Sequence, residues 1–154
     1  MTEHHLAQLN IGRLRAPLDD PRMADFVREL APVNALAESS PGFVWRLREE
    51  ETDDATGLRP FGPDILVNMS VWESYDALWA FTYRTDGHLE VLRRRASWFV
   101  RDPAPTLVLW WVPAGTAPSL DEAVERLARL RADGPSPEAF DFRSPADPPG
   151  ATAT

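Results

Sequence analysis

The most restrictive feature of this sequence is a period-two alternation over residues 64–72. Ile65, Val67, Met69 and Val71 face one way, and Leu66, Asn68, Ser70 and Trp72 the other. Successive side chains of a strand point to opposite sides of a sheet, so the segment reads as a strand with one apolar and one mixed face. A similar alternation, Ala7, Leu9 and Ile11 against Leu6, Gln8 and Asn10, predicts a first strand over residues 5–11. Phe43, Trp45 and Leu47 against Val44, Arg46 and Arg48 predict a second over 43–48, followed by a long acidic connection over 49–63. Residues 106–112 are apolar on both faces, as a strand covered on both sides requires. Between these segments the period changes. Asp20-Pro21 supplies an N-cap and a first-turn proline, after which Met23, Phe26, Val27, Leu30, Val33 and Leu36 recur at helical spacing until Ser39-Ser40-Pro41-Gly42. Pro32 is expected to kink or divide this helix, because it lacks an N–H and its ring collides with the preceding turn. Ser74 caps a second helix, which Thr85-Asp86-Gly87 interrupts and which resumes over 88–100. Ser119-Leu120-Asp121-Glu122 is a capping box ahead of a stripe of Leu120, Ala123, Val124, Leu127 and Leu130, ended by Gly134-Pro135.

The order is β-α-β-β-α-β with an extra C-terminal helix: an α+β, ferredoxin-like domain in which two helices cover one face of a four-stranded antiparallel sheet. The opposite face, carrying Leu6, Gln8, Asn10, Leu66, Asn68, Ser70 and Trp72, is too apolar for solvent and too polar for a dry core. Face-to-face pairing with a second copy is the expected cover. It would make a homodimeric α/β barrel with a pocket in each subunit. The alternative is that the last helix or the C-terminal segment crosses the sheet and closes a monomer. The domain is expected over residues 1–133, with a Pro-rich segment over 134–154. Within that segment Ala139-Phe140-Asp141-Phe142 reads either as an extended stretch laid against the domain or as disorder, and the last ten residues as mobile.

Composition narrows the chemistry. None of the 154 residues is cysteine or lysine, which excludes thiol nucleophiles, thiolate metal and heme ligation, a Schiff-base lysine and the lysine of a phosphate-binding loop. A net charge of −8 disfavours nucleic acid as a partner. The opening residues lack a basic region followed by an apolar core, and no apolar run reaches the ~18 residues of a membrane span, so a cytoplasmic protein without a membrane partner is expected. His4 and His5 are adjacent on a strand and point apart, so no metal site is expected from them. Hydrolase, dinucleotide and zinc-protease motifs are missing.

What remains is a set of polar and aromatic residues on the mixed face. Asn68 and Trp72 lie four residues apart on one strand and share a side, with Ser70 between them and Gln8 and Asn10 on the first strand. They read either as a ligand-facing group or as a core tryptophan beside hydrogen-bonded sheet residues. His88 shares a helical stripe with Val91, Leu92, Arg95 and Trp98, all able to approach one cavity wall. A neutral imidazole there can act as a general base. The plainer reading is a helix-start histidine beside a solvated Arg93-Arg94-Arg95 face.

The corner Asn68-Met69-Ser70-Val71-Trp72-Glu73-Ser74-Tyr75-Asp76-Ala77-Leu78, with His88 one helical segment later, resembles the dimeric α/β-barrel superfamily, especially antibiotic-biosynthesis monooxygenase-like domains. Together with Gly42-Phe43-Val44-Trp45-Arg46, residues 88–99 and residues 109–115, it is similar to a bacterial family of unknown function within that superfamily, over most of residues 4–133. The resemblance implies a small monooxygenase or related oxidoreductase that needs no cofactor. Asn68 and Trp72 would bind a phenolic or anthrone-like substrate, His88 would handle a proton, and Gln8, Asn10, Ser70, Arg95 and Trp98 would line the substrate site. Two alternatives follow from the same resemblance: a heme-binding or heme-degrading protein with His88 as axial ligand, and a non-catalytic small-molecule-binding module.

Overall fold

The computed structural model describes residues 3–150. β1 (His4–Leu14) is the central strand, and it occupies that place because both of its faces are apolar enough to bury: Leu6, Ala7, Gln8 and Leu9 are all nearly inaccessible. It pairs antiparallel with β3 (Ile65–Trp72) on one side and with β5 (Leu107–Pro113) on the other. β2 (Phe43–Arg46) adds outside β3, and a two-residue strand, β4 (Phe99–Val100), pairs with Arg13 and Leu14 at the end of β1 that β5 does not reach. The result is a five-stranded antiparallel sheet in the ferredoxin-like order.

The helices are α1 (Ala24–Glu38), preceded by a 3-10 turn at Pro21–Met23, then α2 (Tyr75–Arg84), α3 (Asp86–Trp98) and α4 (Leu120–Asp133). The caps lie where the sequence places them. Ser74 Oγ accepts from the Ala77 N–H, Ser119 Oγ accepts from the Glu122 N–H, and Gly134, at φ 77°, ends α4 in a conformation that favours glycine. Thr85 separates α2 from α3, as the Thr-Asp-Gly interruption predicts. Pro32, however, does not divide α1. The helix runs continuously through it, one missing N–H being tolerated where Val33, Leu36 and Ala37 pack against the sheet.

The two faces of the sheet are covered differently from expectation. Ala7, Leu9, Ile11, Val67, Met69, Val71, Val108, Trp110 and Val112 form a dry core with Ala123, Leu127 and Leu130 of α4 and with Leu58 and Phe61 of the 49–63 connection. α1 and α2 pack on the other face, the one that carries Gln8, Asn68, Ser70 and Trp72. The faces are therefore the reverse of the expectation: the amide-bearing face lies under α1 and α2, and the apolar face packs against α4. The reason is that alternation defines two faces without saying which one receives which helix.

The segment after α4 also docks. Phe140 is fully buried and exchanges two backbone hydrogen bonds with Leu109, 2.7 and 2.8 Å, covering the open edge of β5. The Ala146 carbonyl, within the stretch expected to be mobile, accepts from Trp111 Nε1 at 2.8 Å. Residues 151–154 of that stretch lie outside the described residues. A last difference is in β2. The pairing slips between Phe43 and Trp45, a bulge that leaves Val44 exposed. Phe43 consequently packs with Trp72, whereas Trp45 and Leu47 pack with the dry core, although strict alternation puts all three on one side.

Candidate functional site

Between the amide face and helices α1, α2 and α3 lies a cavity of about 290 Å³. Antiparallel register builds its floor. Asn10 stands opposite Asn68, Gln8 opposite Ser70, and Leu6 opposite Trp72, so polar residues from two strands meet in pairs. Gln8, 4% exposed, donates from Nε2 to Asn68 Oδ1 at 2.8 Å and to Ser70 Oγ at 2.7 Å. Asn10 Nδ2 donates to Gln8 Oε1 at 3.1 Å and to Asn68 Oδ1 at 3.3 Å. Trp72 Nε1 donates to Ser70 Oγ at 2.9 Å. The five residues thus form one connected network that fixes each amide.

The walls come from the helices. Glu29, Leu30, Val33 and Asn34 of α1, Leu78 and Phe81 of α2, and His88, Val91, Leu92 and Arg95 of α3 face the cavity. His88 Nδ1 lies 2.9 Å from the Thr82 carbonyl oxygen. A carbonyl can only accept, so Nδ1 carries the hydrogen and Nε2 keeps a lone pair. Burial pushes the imidazole below the ordinary histidine pKa, outweighing the Thr82 bond that raises it. Burial thus favours the neutral ring, and among the described residues Nε2 has no hydrogen-bond partner. Among the described residues Arg95 has no carboxylate within ion-pair distance, whereas Arg46, the other arginine on the lining, is held by Glu38 at 3.1 Å and Asp53 at 2.8 Å.

Of the residues singled out from sequence, Gln8, Asn10, Asn68, Ser70, Trp72, His88 and Arg95 all line this cavity. Trp98 does not. α3 ends there and the chain turns into β4, so Phe99 takes the cavity side while Trp98 packs with Ala16 and Met23 under Phe26. Trp72 also differs from expectation. Its indole is stacked on Phe81 (centroids 5.1 Å apart) and met edge-on by Phe43 (5.5 Å), and is 1% exposed, so it supports Ser70 rather than offering an open face to a ligand. Residues that sequence reasoning passed over include Asn34, a polar position inside the apolar stripe of α1, and Phe142, which lines the cavity from the C-terminal segment. Phe142 is seated among Tyr75, Trp79 and Tyr83 of α2, at centroid distances of 5.9, 5.6 and 5.4 Å. Its signal was the alternation at 139–142.

The model of a family described as a domain of unknown function, DUF3291, matches residues 5–154. This chain belongs to that family. The DUF3291 chain matches no curated protein. Among solved structures it is similar to SnoaB, a cofactor-independent oxygenase from Streptomyces nogalater, at 20% identity over 75% of this chain and 98% of that one, with a TM-score of 0.46. It is also similar to PA3566 from Pseudomonas aeruginosa, at 12% identity over 75% and 99% of the two chains and a TM-score of 0.49. A protein of unknown function from Nitrosomonas europaea, NE2512, matches at 14% identity over 77% and 97%, with a TM-score of 0.47. Among the described residues no helix is long and apolar enough to cross a membrane.

Proposed function

We propose that this DUF3291 chain is a small monooxygenase that oxidises an aromatic or polycyclic molecule without a cofactor, in a site completed by one chain. The observation that carries this reading is the juxtaposition, in one apolar-walled cavity, of a polar floor at Asn68 and Ser70 with an imidazole whose Nε2 is free. Small-molecule sites combine apolar walls with a few fixed polar groups, and a cavity of about 290 Å³ lies near the lower end of their size range. His88 Nε2 takes the proton from an activated ring carbon or hydroxyl. Asn68 holds the oxygen on which the resulting charge settles. The electron-rich anion then reduces dioxygen directly. For a ring methylene the balance is one CH2 and one O2 giving one C=O and one water, a four-electron oxidation matched by a four-electron reduction.

An oxygen electrode with anthrones, naphthols and substituted phenols tests the reading. We expect one O2 consumed per substrate, with His88→Ala slowing turnover by about 10²- to 10⁴-fold and Asn68→Ala weakening both binding and turnover. Tight binding without oxygen uptake across the panel overturns it in favour of a non-catalytic binding module. A heme-dependent reading has one observation in its favour, the free Nε2 of His88 as an axial ligand. The lining fits the propionates poorly, because Arg95 alone of its two arginines is unpaired and Glu29 adds a negative charge to the wall. A hemin titration without a Soret shift, or with one unchanged in His88→Ala, removes that reading.

A further inference from the structure

We infer that the floor of the cavity is a donor site for an anionic ring oxygen, a phenolate or enolate, in which Ser70 is a second oxyanion donor beside Asn68 and Gln8 is the residue that sets their polarity. A serine hydroxyl has two acceptor positions and one donor. Both acceptor positions of Ser70 are engaged, by Gln8 Nε2 at 2.7 Å and by Trp72 Nε1 at 2.9 Å, and an indole N–H can only donate. The hydroxyl hydrogen is left over. Ser70 lines the cavity, and that hydrogen has no acceptor among the described residues. Asn68 repeats the pattern: its Oδ1 receives Gln8 and Asn10, so its Nδ2 hydrogens remain for the cavity. Gln8 governs both positions, since its two Nε2 hydrogens go to the Asn68 and Ser70 oxygens, while its own Oε1 accepts from Asn10.

The reverse network, with all three amides turned over, would spend the Ser70 hydroxyl on Gln8 Oε1 and show the cavity a carbonyl oxygen at Asn68. It would favour a neutral hydroxyl ligand. The contacts set the polarity that receives an anion, with Gln8 Nε2 on the Asn68 and Ser70 oxygens and the Trp72 N–H on Ser70; of the charges on the lining, Arg95 favours it while Glu29 and Asp54 oppose it. Preorganised donors of this kind stabilise charge on oxygen because they need no reorientation when the charge arrives. The inference rests on the aromatic-ligand part of the proposed function and not on its oxygen chemistry.

The test uses the full chain and a nitrophenol whose free pKa lies near neutrality, its ionisation read by absorbance with and without saturating protein. The donor floor binds phenolate about tenfold or more tightly than phenol, lowering the bound pKa by about one unit or more. Ser70→Ala removes about half of that shift, Ser70→Thr retains it, and Gln8→Met loses most of it. If Gln8 merely held the strands together, Gln8→Met would weaken both ionisation states equally and leave the bound pKa where it was. A bound pKa equal to or above the free value in the wild-type protein, a shift that survives in both Ser70→Ala and Gln8→Met, or no binding of the phenol at all, overturns the inference. A lowered bound pKa without oxygen uptake by any substrate supports the donor site and sinks the monooxygenase. Oxygen uptake with preferential binding of neutral phenol does the reverse.

Discussion

The two faces of the sheet are made by the same strands in the same register, yet one is dry and the other encloses a cavity. On the apolar face Ala7, Leu9, Met69, Val71, Val108 and Trp110 are each no more than 1% exposed beneath the Ala123, Leu127 and Leu130 stripe of α4. On the amide face Gln8, Asn10, Asn68 and Ser70 stand where a helix would otherwise settle, with the cavity between them and α1, α2 and α3. The difference lies in desolvation. A helix laid flat on the apolar face strips water only from hydrocarbon, whereas the same move on the amide face would cost about 1–3 kcal/mol for each polar group left without a partner. Gln8 and Ser70 are buried with their partners, so the polar groups that keep the space open are at the solvent-reaching end of the network, Asn10 and Asn68. That space is what a ligand could fill.

The strongest way to break this comparison is to delete bulk from the dry face. Trp110, fully buried, with its Nε1 3.3 Å from Glu122 Oε2, joins β5 to α4. Trp110→Ala should lower unfolding stability by about 3–5 kcal/mol, read as a drop in the urea midpoint. Ser70→Ala on the amide face should cost less, about 1–3 kcal/mol, because it removes little bulk but leaves the buried Trp72 Nε1–H and one Gln8 Nε2 hydrogen without an acceptor. Equal losses from the two substitutions would mean that the amide face is packed as tightly as the apolar one.

A second substitution probes the seam between the faces. Gly12 is where β1 passes under Phe99, and a Cβ there would come within 2.6 Å of the Phe99 ring. Gly12→Ala should therefore cost about 1–3 kcal/mol through overpacking and, by pushing Phe99 against the cavity lining, weaken nitrophenol binding as well. A variant as stable as wild type, with unchanged binding, would show that Phe99 moves freely and is no part of the wall.

These contrasts separate what the sequence could and could not disclose. The element order, the caps at Ser74 and Ser119, the stripe of α4 and the grouping of Gln8, Asn10, Asn68, Ser70 and His88 were all legible, because each depends on local periodicity or capping chemistry. The assignment of helices to faces was not, since alternation is symmetric under exchange of the two sides. The bulge at Val44 was hidden for a related reason: one unpaired residue reverses every side chain beyond it, and no residue type in Phe43-Val44-Trp45 announces it. Trp98 was misplaced because it is the last residue of α3, where the chain passes into β4 and Phe99, not Trp98, reaches the cavity. Trp72 lay on the expected face, but only tertiary structure reveals that Phe43 and Phe81 already occupy its ring.

The C-terminal segment sharpens the contrast from the cavity side. Phe142 contributes a wall there and is held by three aromatic rings of α2, and its carbonyl lies 3.4 Å from the Tyr75 hydroxyl. Phe142→Ala should cost about 1 kcal/mol, less than a core deletion because the residue is only half-buried. It should also speed release of the nitrophenol measured by stopped flow. Unchanged release would place the exit elsewhere on the lining.

The smallest effect expected is a pH dependence confined to the amide face. Burial holds the folded-state pKa of His88 below its unfolded value of about 6.5. Below that value the unfolded chain binds more protons than the folded one, so the stability that a neutral His88 permits is complete above about pH 6.5 and is lost as the pH falls from there toward the folded pKa. Comparing urea midpoints at about pH 7.5 and about pH 5.5 should show a larger decline for wild type than for His88→Gln, which cannot titrate. The same proton governs chemistry: turnover that depends on the free Nε2 should fall on the acid side with a midpoint below the ordinary histidine value, and that limb should vanish from whatever residual turnover His88→Gln retains. An acid limb that persists unchanged in His88→Gln would assign the titration to another group and leave His88 a helix-start residue bonded to Thr82.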